Sequence, residues 1–115
     1  RIHHSIFGNI EGEQVTLYTL DNEAGMQLKI MDYEITIASI SIPGEDGKGV
    51  EPSCGYDRSE DYFSKVYRSN APLLGCTLGR YSSRINDGRF QVAGQAYEVA
   101  CNDHPNHLHG GIWKK

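Results

Sequence analysis

The chain has 115 residues, with 15 acidic against 11 basic side chains for a net charge of −4 and 38% hydrophobic residues. That is enough for one modest core, and too acidic for a phosphate backbone as partner. No Lys/Arg run makes a local exception, and no stretch approaches the ~20 apolar residues that span a bilayer, so neither nucleic acid nor a membrane is expected as partner.

The opening RIHHSIFG is too polar for a signal peptide. Three cysteines, Cys54, Cys76 and Cys101, are an odd number and widely spaced. That does not suit a secreted disulfide framework, and a soluble protein of a reducing, cytoplasmic compartment is expected.

Apolar residues then alternate rather than recur at helical spacing: Val15 and Leu17, then Met26, Leu28 and Ile30. Such alternation predicts half-buried strands. In YEITIASISI the parity switches from Tyr33, Ile35 and Ile37 to Ile40 and Ile42, which predicts a bulge or bend near Ala38-Ser39. PGEDGKG at 43–49 has the Gly, Pro and Asp-Gly content of a hairpin connection.

DRSEDYFSKVY at 57–67 is the one stretch with a helix-start signal: Asp57 and Glu60 have capping-box spacing, and Tyr62, Phe63 and Val66 share a face. Further on, Phe90 and Val92 alternate, AGQ at 93–95 reads as a second hairpin connection, and Tyr97 and Val99 alternate again. With no repeat and no linker, residues 1–115 are expected to be one antiparallel β domain or a portion of a larger one.

NDHPNHLHGG at 102–111 sets His104, His107 and His109 just after Cys101. The residue types suit zinc, but four ligands within nine residues, stiffened by Pro105, leave little room for a tetrahedron, and no metal is expected. On a strand, His107 and His109 would share a face with Leu108 opposite, so the pair could line a cleft. A solvated polar loop is the plain alternative. Against it stand Gly110-Gly111, which allow close approach to the backbone, and Asn102 and Asn106, which can brace a loop by local hydrogen bonds. GRYSSRINDGRF at 79–90 carries Arg80, Arg84 and Arg89, each a surface ion-pair partner or a planar fork for sugar hydroxyls or a carboxylate.

Taken in order, FGNIEGEQVTLYTLDNEAGMQLKI, DYEITIASISIPGEDGKG, GYDRSEDYF, LGCTLGRYSSRINDGRFQVAGQAYEV and NDHPNHLHGG resemble the start of an aldose 1-epimerase (galactose mutarotase). The most specific parts are GR-x-x-x-R-I-x-x-G-x-F and P-N-H-L-H-G-G. The resemblance implies an all-β, antiparallel β-sandwich, of which this chain is the N-terminal portion. It also implies interconversion of the α and β anomers of galactose, glucose and related free aldoses, with no metal or organic cofactor. By the same resemblance His109 is catalytic, lining the sugar site near the anomeric centre and ring oxygen. Arg84 holds sugar hydroxyls, and Ser83 stands where the family has a substrate-touching Asn.

A hydroxyl reaches less far than a carboxamide, so one sugar contact is expected to be lost or water-bridged at Ser83. Glu34 also departs from the family's glycine, and would be strained if its φ is positive. Mutarotation needs a base at the anomeric hydroxyl and an acid at the ring oxygen. The resemblance places these, a glutamate and a histidine, beyond residue 115. The 115 residues alone are therefore expected to be inactive. The competing reading is a non-catalytic carbohydrate-binding or interaction module on the same sandwich.

Overall fold

The computed structural model describes residues 1–70 and 72–111. The chain divides into two compact units, Arg1–Thr77 and Leu78–Lys115.

In the first unit, β1 (Ile2–Ile10), β2 (Glu13–Asp21), β3 (Gln27–Met31), β4 (Thr36–Pro43) and β5 (Gly49–Val50) form one five-stranded antiparallel sheet in sequential order. The parity switch in YEITIASISI has its cause in the β3–β4 ladder. Lys29 pairs with Ser39 and Ile30 with Ile37, so Ala38 is the extra residue of a bulge. Ala38 and Thr36 are buried on either side of half-buried Ile37. Beyond Pro43 the PGEDGKG stretch turns the chain into β5: Gly44 N–H donates to Lys48 O at 2.7 Å, and Asp46 Oδ1 accepts from Lys48 N–H at 3.0 Å.

Between β3 and β4, Glu34 has φ 56 and ψ 21, the left-handed conformation that its departure from glycine put in question. A side chain there costs ~1–2 kcal/mol. Thr77 holds the turn, its N–H donating to Glu34 O at 3.2 Å and its hydroxyl to Ile35 O at 2.9 Å. Burial pushes the Glu34 carboxyl up to about 7.

The helix expected over 57–67 is displaced and broken. A 3₁₀ segment covers Ser59–Phe63, and α1 covers Lys65–Asn70. Asp57 and Glu60 form no capping box. The Glu60 carboxylate instead accepts from the main-chain N–H of Asn9 at 3.4 Å, and main-chain donors at Glu60 itself and Asn9 hold its pKa below the ordinary value. Tyr62 is buried as expected and Phe63 half-buried, but Val66 is 72% exposed and Tyr67 takes the inward place. The cause is the break at Ser64, whose extended backbone resets the helical phase. Tyr62 and Tyr67 join Ile10, Val15 and Met31 in the core beneath the sheet. Their rings meet edge-on at 5.8 Å, and Tyr62 also meets Tyr56 edge-on at 5.1 Å.

The second unit holds β6 (Arg84–Ile85), β7 (Arg89–Val92), β8 (Gln95–Glu98) and β9 (His107–Leu108), paired as β6–β9 and β7–β8. Ala93 and Gly94, with φ 50 and 80, make the two-residue connection expected between β7 and β8. Phe90 and Tyr97 stack at 5.3 Å, yet every residue of both strands is exposed, contrary to the half-burial that alternation predicts. Alternation reports a face suited to covering, and no described residue of this unit covers it.

Candidate functional site

The two motif segments meet through β6 and β9, where Arg84 pairs with Leu108 and Ile85 with His107. Just outside this short ladder, Ser83 and His109 are joined twice. His109 N–H donates to Ser83 O at 3.0 Å, and Ser83 N–H donates to His109 Nδ1 at 3.0 Å. Both residues have positive φ, 67 at Ser83 and 49 at His109. Asn adopts that region more readily than Ser, so the Asn that the resemblance implies at position 83 would carry less backbone strain than Ser83.

His107 and His109 do not share a strand face. β9 ends at Leu108, and His109 begins a turn closed by Gly111 N–H to Leu108 O at 3.1 Å. His107 is buried, its Nδ1 2.7 Å from Ala100 O, a structural imidazole rather than a cleft wall. The glycine pair is also accounted for from within the chain. A Cβ on Gly110 would overlap the Gly79 carbonyl, and one on Gly111 would stand 3.0 Å from the His107 ring. No set of three His, Cys, Asp or Glu side chains gathers for a metal ion among the described residues.

Arg84 Nε donates to Asp103 Oδ2 at 2.7 Å, and both side chains are about half-exposed. This bond engages Nε and does not consume the two terminal Nη groups, so the fork stays chemically able to take vicinal hydroxyls. The backbone at Asp103 is closed by mutual bonds with Asn106 at 3.0 and 2.8 Å. Asn106 Oδ1 accepts from Asp87 N–H at 3.2 Å, and Asn102 binds Leu108 and Gly111. The two asparagines brace the loop as their residue type predicts. Asp103 as the partner of Arg84 carried no sequence signal, since only the β6–β9 pairing brings residues 84 and 103 together. Arg89 pairs with Glu98 at 3.1 Å across β7–β8, at the solvated surface. A shallow hollow of about 380 Å³ beside that pair is lined by neither Arg84 nor His109.

An arginine fork and a braced imidazole on an antiparallel β scaffold have the hydrogen-bonding chemistry that a small polyhydroxy or anionic ligand requires. Residues 16–115 match the family described as aldose 1-epimerase, and the chain belongs to that family. It is 35% identical over 101 residues to the aldose 1-epimerase of Escherichia coli K12, covering 88% of this chain and 28% of that protein. It is 28% identical over 113 residues to human galactose mutarotase, covering 96% and 31%. Galactose 1-epimerase from Lactobacillus acidophilus superposes with a TM-score of 0.74 at 26% identity, over 97% of this chain and 31% of that one. The fold is thus the all-β, galactose mutarotase-like antiparallel sandwich, and the chain spans under a third of the length of these relatives.

Proposed function

We propose that this chain supplies the N-terminal part of an aldose 1-epimerase. The enzyme interconverts the α and β anomers of free aldoses such as galactose and glucose by acid/base ring opening and closure, without metal or organic cofactor. A base takes the proton of the anomeric hydroxyl as the C1–O5 bond breaks and C1=O1 forms, while an acid protonates O5. Rotation about C1–C2 and the reverse steps deliver the other anomer. Arg84 holds sugar hydroxyls through its Nη groups, His109 lies at the anomeric centre and ring oxygen, and Ser83 lines the same site. The histidine acid and glutamate base belong to the remainder of the enzyme. The reduced thiols of Cys54, Cys76 and Cys101 suit a cytoplasmic setting.

The observation that carries this reading is the pair of hydrogen bonds between Ser83 and His109, which joins the arginine segment to the histidine segment beside Arg84. Polarimetry of freshly dissolved α-D-galactose tests it. The full-length enzyme should accelerate mutarotation, His109→Ala and Arg84→Ala should each lower kcat/KM by ~10²-fold, and residues 1–115 alone should match buffer. A full-length chain that binds galactose without accelerating its mutarotation would instead be a carbohydrate-binding module.

A further inference from the structure

We propose that Asn102 is a positioning residue for His109, and that the pair presents His109 Nε2–H as a hydrogen-bond donor to an aldose oxygen. The inference rests on the sugar-site reading of His109.

The Asn102 carboxamide takes both main-chain groups of the residue that precedes His109. Its Oδ1 accepts from Leu108 N–H at 2.8 Å, and its Nδ2 donates to Leu108 O at 2.9 Å. The same Nδ2 reaches Gly111 O at 3.3 Å, across the turn that holds His109. That turn places His109 at φ 49 and Gly110 at φ 86, the two positive values of a type I′ turn. Left-handed backbone at a histidine is unfavourable by itself and persists where its surroundings over-determine it. Here Asn102 grips the turn at both ends from one side, and Ser83 grips His109 from the other.

The second grip decides the ring. The Ser83 N–H donates to Nδ1 at 3.0 Å, so that nitrogen is the acceptor and the single proton of the neutral imidazole resides on Nε2. Nε2 is then a donor aimed by the turn. Since Ser83 contributes only its main chain to this lock, its side chain can differ from the family's Asn without releasing His109. Asn102 is needed for its amide: an aspartate in its place keeps the acceptor for Leu108 N–H but turns an oxygen toward two carbonyls.

The test uses the full-length enzyme labelled with ¹⁵N-histidine, as wild type and as Asn102→Asp. Two-bond ¹H–¹⁵N spectra of the wild type should show His109 with its proton on Nε2 and Nδ1 as acceptor. In Asn102→Asp the His109 resonances should shift or broaden toward mixed tautomers. Its kcat should fall by ~10-fold or more while KM changes by less than ~3-fold, because misplacement of a fixed group penalises the reacting geometry more than ground-state binding. Should Asn102→Asp fail to fold, Asn102→Ser removes the reach without adding charge and carries the same measurements. A wild-type His109 with its proton on Nδ1, or a folded variant with unchanged kcat and unchanged His109 pattern, overturns the proposal. Undiminished mutarotation in His109→Ala would overturn the sugar-site reading instead, while the ring's proton pattern in Asn102→Asp still decides the positioning claim.

Discussion

In Arg1–Thr77 the side chains of Ile10, Val15, Met31, Tyr62 and Tyr67 are buried together. Among the described residues of Leu78–Lys115 the buried ones are Gly88, His107 and Gly111. The first unit is stabilised by apolar burial under a regular sheet. The second is held by directional bonds: Arg84 to Asp103, Asn102 to Leu108, Asn106 to Asp87, and Ser83 to His109. Apolar packing is tolerant of exact angle, whereas hydrogen bonds fix orientation, so the candidate sugar groups sit where orientation is set. Both units hold non-glycine backbone in the left-handed region, at Glu34 and Ile35 in the first and at Ser83, Asp87 and His109 in the second.

The largest effect expected is in the first unit. Tyr62→Ala removes a ring that is 1% exposed and should cost ~3–5 kcal/mol in urea unfolding of the full-length protein. Tyr62→Phe isolates the hydroxyl, which accepts from Tyr56 N–H at 2.9 Å, and should cost ~1–3 kcal/mol. If Tyr62→Ala changed stability by less than ~1 kcal/mol, apolar burial would not be what distinguishes this unit.

Next comes the buried imidazole of the second unit. His107→Ala leaves Ala100 O without its 2.7 Å partner and should cost ~1–3 kcal/mol. The loss should be accompanied by a fall in mutarotation rate, because β9 carries His109 at its end. A destabilised variant of full activity would separate the brace from the site.

Glu34→Gly should stabilise. The gain has a part independent of pH, ~1 kcal/mol from relief of the left-handed backbone, and a part that depends on pH. With its folded-state pKa raised by burial to about 7 from the ordinary 4.5 of a free glutamate, Glu34 keeps a proton in the folded chain that the unfolded chain releases. Between those values native stability falls as pH rises. The advantage of Glu34→Gly should therefore grow from pH 4.5 to pH 8 by ~1 kcal/mol, after allowance for solvent at this partly open position. Thermal unfolding at the two pH values measures it, and a gain that shrinks toward pH 8 would contradict the burial of Glu34. The smallest effect belongs to Arg89→Ala, which loses an ion pair whose side chains are 73% and 74% exposed. Stability should change by less than ~0.5 kcal/mol and mutarotation not at all.

Much of this molecule is written locally. The alternation over Val15–Leu17 and Leu28–Ile30, the turn chemistry of PGEDGKG and AGQ, and the parity switch at Ala38 each depend on a few neighbouring side chains, and each has its counterpart in the ladder. The bracing role of Asn102 and Asn106 was legible for the same reason: a short carboxamide bonds nearby backbone almost wherever it stands. What depended on distant partners was not legible. Asp57 and Glu60 match a capping box, but Asn9, 51 positions from Glu60, claims the carboxylate. His107 and His109 alternate like cleft residues, but Ala100 and Ser83 take them in different directions. Arg84 finds Asp103 only because two-residue strands pair 84 with 108. The sequence by itself determined the strand runs at Val15–Leu17, Leu28–Ile30 and Phe90–Val92 and the turns at 43–49 and 93–95, because those follow from side-chain period and backbone preference; it did not mark β1, and Tyr33–Ile35, which alternate like a strand, form a 3₁₀ turn. Tertiary structure alone decided which imidazole is buried and which is braced, because His107 turns back onto Ala100 seven residues earlier while His109 is held by Ser83, 26 positions away, and side-chain period encodes neither bond.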